Sequence, residues 1–120
     1  MLKPIPAKIL KSTATVEVCS GVDMYQNQTY TEYEVKRVHL QPTNEIRKTQ
    51  SNTEIVLRSI LFVDARTSSP FLDWCALLRT AHDNAGDMRV IVRGTEYTVF
   101  SVDELRDDTD GLHHWEVGLV

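Results

Sequence analysis

Apolar and polar residues alternate at a period of two along most of this chain, the mark of strands with one buried face. Ala14, Val16 and Val18 share a face opposite Thr13, Thr15 and Glu17, and Ser20-Gly21 with Gln26-Asn27-Gln28 supplies turn residues. An extended segment follows from Tyr30 to about Gln41. Its apolar parity slips, with Tyr33 and Val35 on odd positions and Val38 and Leu40 on even ones, which predicts a β-bulge near Lys36-Arg37. Residues 54–64 read as one strand, with Ile55, Leu57, Leu61 and Val63 on one face and Val56, Ile60 and Phe62 on the other. Apolar on both faces, it is expected to be central and covered from two sides.

A helical period occurs once. Ser69 as N-cap, Pro70 at the first helical position and a stripe of Phe71, Trp74, Cys75, Leu78 and His82 predict a helix at about residues 69–84. Asn84-Ala85-Gly86 ends it, with Gly86 expected in the left-handed conformation. Met88, Val90 and Val92 then alternate with Arg89, Ile91 and Arg93, and Arg93-Gly94-Thr95-Glu96 turns the chain. On the return Tyr97, Val99 and Ser101 alternate with Thr98, Phe100 and Val102. A last strand over residues 113–120 sets Trp115, Val117 and Leu119 against His114, Glu116 and Gly118. The expected fold is mainly β: a small barrel or barrel-like sandwich of five or six strands with one short helix.

Composition narrows the function classes. With 120 residues the chain suits a single domain, residues 1–120, and its 42% apolar and 25% charged residues are an ordinary globular mixture. A net charge of −4 lacks the basic excess of most nucleic-acid-binding domains. Met1-Leu2-Lys3-Pro4-Ile5-Pro6 does not read as a secretory signal, and Trp74-Cys75-Ala76-Leu77-Leu78 is far short of the ~20 apolar residues of a membrane span. Cys19 and Cys75 form no close pair, so a reducing interior is expected. The composite expectation is a soluble intracellular domain with no membrane partner.

Catalytic signatures do not emerge. Cys75 and His82 lie two helical turns apart, about 10 Å by helix rise, too far for direct proton transfer. His113 and His114 should point to opposite faces of their strand, one half-buried and one exposed, and so fail to share a metal. Asp107-Asp108-Thr109-Asp110-Gly111 lacks the alternate ligands and later glutamate of a calcium loop. No catalytic residue, cofactor, metal or small-molecule substrate is therefore assigned.

Contact segments are the better candidates. Residues 42–53 are polar except for Ile46, and read either as an exposed loop or as a protruding segment with Ile46, Arg47 and Lys48 as anchor and charges. Residues 1–11 form an extended arm with Leu2, Ile5 and Ile9 set among prolines and lysines. That arm either packs on its own barrel or reaches a neighbouring subunit. A competing reading is a nucleic-acid-binding barrel of the OB or SH3-like type, with Tyr25, Tyr30, Tyr33 and Tyr97 as stacking aromatics.

Four stretches carry a family resemblance: Lys3-Pro4-Ile5-Pro6 leading to Val16-Glu17-Val18; Ser59-Ile60-Leu61-Phe62-Val63-Asp64 with Thr67-Ser68-Ser69-Pro70; the hairpin from Gly86-Asp87 to Gly94-Thr95-Glu96-Tyr97-Thr98-Val99; and Leu112-His113-His114-Trp115-Glu116-Val117-Gly118-Leu119. In order and spacing they resemble the minor capsid protein family of tailed bacteriophages. The resemblance implies a structural virion protein, a head–tail connector or head-completion subunit, made in the host cytoplasm. It further implies ring assembly with itself below the portal and contact with the portal or a neighbouring connector protein, and the net charge of −4 would suit passive contact with passing DNA.

Overall fold

A computed structural model describes residues 11–49, 51–66, 68–84, 86–106 and 111–120. Its strands are β1 (Ser12–Val22), β2 (Gln28–Pro42), β3 (Ile46–Lys48), β4 (Glu54–Val56), β5 (Ser59–Asp64), β6 (Met88–Val92), β7 (Thr95–Arg106) and β8 (Leu112–Leu119), with one helix, α1 (Trp74–Asp83). Six strands pair antiparallel in the order β1-β2-β5-β8-β7-β6, and β6 pairs back onto β1 to close a barrel-like ring. β3 and β4 form a separate two-stranded hairpin.

Period-two patterning builds the interior. Ala14, Val16 and Val18 of β1 are buried with Val35 and Val38 of β2, Leu61 and Val63 of β5, Met88, Val90 and Val92 of β6, and Trp115, Val117 and Leu119 of β8. The expected bulge is present: Ser12 pairs with Val38 and Thr13 with Lys36, leaving Arg37 over at φ 62°. That extra residue lets Val35 and Val38, three apart, both face inward. Comparable slips leave out Ser20 in β1, Phe100 in β7 and His113 in β8, and bulges bend long strands as a small ring requires. The slip at Phe100 overturns the simple alternation expected for β7. Between β6 and β7 a two-residue turn puts Arg93 at φ 52° and Gly94 at φ 80°, the hairpin turn whose twist matches its strands.

Four expectations are corrected. The strand expected over residues 54–64 is two, β4 and β5, because the chain breaks at Leu57-Arg58 and only β5 enters the barrel. The helix begins later than residue 69: Ser69 makes an antiparallel bridge to Lys36, and Asp73 is the N-cap, accepting from the Ala76 N–H at 3.2 Å. The buried face of α1 is Trp74 and Ala81 with Leu77 and Leu78 beside them, packed toward β1, β6 and β7, whereas His82 is exposed. Phe71 is 62% exposed and rests its ring 5.4 Å from that of Trp115. Gly86 is not left-handed. It is glycine because a Cβ there would stand 2.3 Å from Cys19 Sγ.

Candidate interaction surfaces

The β3–β4 hairpin lies outside the ring and is clamped to it. Ile46 pairs with Val56, Arg47 with Ile55 and Lys48 with Glu54, and the tip turns through Asn52 at φ 64°. Leu57, just past β4, is fully buried yet stands apart from the barrel core. Its side chain fills a notch over Gly118, where a Cβ would come within 3.2 Å of Leu57 Cδ1 and 2.8 Å of Ser101 Oγ. The Leu57 N–H donates to the Glu45 carbonyl at 2.9 Å, the Arg58 N–H to the Leu119 carbonyl at 2.8 Å, and the Arg58 carbonyl accepts from Thr43 at 3.0 Å. Arg47 donates to Glu45 at 2.9 Å and across to Asp103 of β7 at 3.1 Å. Hydrogen bonding to Glu45, reinforced by Asp103, holds its guanidinium above its ordinary pKa.

What this clamp presents is apolar. Ile46 is 58% and Val56 55% exposed, and they face each other across the hairpin. Lys48 is exposed beside Glu54, while Arg47 points its charge back at the barrel. So of the three hairpin candidates, Ile46 and Lys48 face solvent and Arg47 is an internal fastener. Leu2, Ile5 and Ile9 lie outside the described residues. Sequence reading missed Val56, Leu57 and Gly118 as parts of this surface. The available signal was Gly118, a lone glycine inside a strand, which marks close approach of another segment.

A second apolar tip joins β1 to β2. Asp23 Oδ1 accepts from the N–H groups of Tyr25 at 2.8 Å and Asn27 at 2.9 Å, and this turn leaves Val22, Met24 and Tyr25 56%, 83% and 77% exposed. Tyr25 is alone in that among the four tyrosines. Tyr30 lies under Arg89 at 4.1 Å and donates to Asp87 at 2.8 Å, Tyr97 lies under Arg58 at 4.6 Å, and Tyr33 packs on the core. The aromatics are thus dispersed rather than ranged along one groove.

The histidines are placed differently from expectation. His113 is the residue left over where Leu105 pairs with His114 and Arg106 with Leu112. A bulge breaks the strict alternation of faces, so the two rings meet edge to face with their Nδ1 atoms 2.7 Å apart, and both are half-buried. His114 Nε2 lies 3.0 Å from Glu116 Oε2. Elsewhere, burial first, then the charges of Glu104 and Asp73, push the Cys75 thiol up, which disfavours the reactive thiolate. Among the described residues no group of three or more His, Cys, Asp or Glu side chains is arranged to hold a metal, and no helix is long and apolar enough to cross a membrane.

These surfaces define a scaffold class: a barrel-like β framework with two solvent-facing apolar tips. Residues 6–119 match the minor capsid protein family, and the chain belongs to it. It is therefore a structural protein of a bacteriophage virion. A comparison with curated proteins finds no match.

Proposed function

We propose that the protein is a head–tail connector subunit that completes the phage head by assembling as a ring between portal and tail. The observation that carries this reading is the clamped hairpin. Leu57 and Arg47 fasten it to the barrel while Ile46 and Val56 are offered to solvent, so the apolar pair is pre-organised and docking it costs little ordering entropy. The second apolar tip at Val22, Met24 and Tyr25 gives each subunit two separated contact points, as a ring member needs for two neighbours. A net charge of −4 suits a wall past which DNA must move, because a basic wall would hold phosphates through counterion release.

Electron microscopy of the purified full chain, alone and mixed with portal protein, tests this. Rings, or decoration of the portal ring, are expected. A chain that stays monomeric beside the portal, and is missing from purified particles, overturns the reading.

A further inference from the structure

β2 is paired on both edges over only part of its length. β5 covers residues 38–42, and Ser69 then makes a single bridge, exchanging bonds of 2.7 and 3.1 Å with the backbone of Lys36. Beyond that, Pro70 has no N–H to donate and the chain turns away toward α1. Lys36 directs its backbone away from β1, so by the period of two Glu34 and Glu32 do the same. Among the described residues, no strand pairs with this edge over residues 30–34. An open edge of this kind is a template for an added strand.

Its charge selects the strand. Glu32 and Glu34 are exposed, and neither makes an ion pair among the described residues. Across β1, Glu32 stands opposite Glu17, whose own cation is Arg89 of β6, so the acidic character of this edge lies with Glu32 and Glu34. The same edge of a second copy would only add acid to acid. The N-terminal segment has the opposite character: residues 1–11 contain Lys3, Lys8 and Lys11 and no acidic residue. Past Pro4 and Pro6, Ala7-Lys8-Ile9-Leu10 has an N–H at every residue and places Lys8 and Ile9 on opposite faces of an added strand.

We propose that residues 7–10 of a second copy of this chain add as a strand to the β2 edge at residues 30–34, with Lys8 against Glu32 and Glu34. This rests on the reading that copies assemble, and it names the joint between them.

The test uses the full chain, with association followed by sedimentation and backbone protection by hydrogen exchange. E32K/E34K and K8E are each expected to weaken self-association, the former about tenfold, and the variant carrying all three changes to regain it. In the unaltered chain the Glu32 and Glu34 amides should become protected as concentration rises. Assembly that proceeds while these amides exchange freely overturns the joint and leaves the connector reading standing. Protection that is independent of concentration means the arm folds back on its own barrel, and likewise overturns exchange between copies. Absence of any assembly, alone or with portal protein, overturns both.

Discussion

The barrel and the β3–β4 hairpin are both antiparallel β, but they are held by different forces. The barrel closes on a continuous apolar interior in which Trp74 and Trp115 are at most 2% exposed, and its pairing leaves no free edge where the ring is complete. The hairpin has three residues per strand, too few to be stable alone. It is held at one side by Leu57 in the Gly118 notch and at the other by Arg47 against Asp103. The barrel is therefore a structural constant, whereas the hairpin's order depends on a few named contacts.

The largest effect should come from the barrel. Trp115→Ala is expected to cost about 3–5 kcal/mol, read as a fall in the urea midpoint, because it empties the site of one of the largest buried side chains. Trp115→Phe should cost clearly less, since the indole N–H has no hydrogen-bond acceptor among the described residues and its loss breaks no bond. If the two variants were equally damaging, the interior would depend on that N–H after all.

Leu57→Ala comes next, at about 2–3 kcal/mol of hairpin stability. It should leave the barrel's own amides protected while those of Ile46 and Val56 exchange faster, separating hairpin from barrel. Uniform acceleration across the chain would instead make the two regions one cooperative unit. Arg47→Ala removes a partly exposed ion pair and should change global stability by less than about 1 kcal/mol, with faster exchange confined to the hairpin.

The smallest effect is a pH dependence on the barrel wall. The hydrogen bond to Asp87, then burial, raises Tyr30 above its ordinary pKa of 10.0. A raised pKa means the folded state favours the protonated phenol. Its contribution is whole below pH 10.0 and is lost as pH rises through the raised value. Denaturation in alkaline buffer should show that loss in the unaltered chain and a shallower one in Tyr30→Phe.

Much of the barrel was legible in the sequence because it obeys a local rule. Inward positions two apart are apolar in β1, β6 and β8, and the parity slip at Lys36-Arg37 registered as a bulge, since burial demands two inward residues three apart. The rest depends on contacts made at long range. Whether residues 54–64 form one strand or two is decided by Gly118, more than fifty residues away, whose missing side chain admits Leu57. The start of α1 is decided by Lys36, which draws Ser69 into a bridge and leaves capping to Asp73. His113 and His114 meet because of a bulge against Arg106 that no local pattern announces. The exposed apolar pair is half legible: Ile46 stands out in a polar stretch, while Val56 reads as part of a strand apolar on both faces.

Under the proposed function the fastened hairpin serves assembly and not folding. The direct measurement is incorporation of an Ile46→Asp/Val56→Asp chain into phage particles, scored beside its thermal midpoint. A midpoint within a few degrees of the unaltered chain is expected, both residues being exposed, with particles that lack the protein. Normal incorporation of a normally folded variant would contradict it.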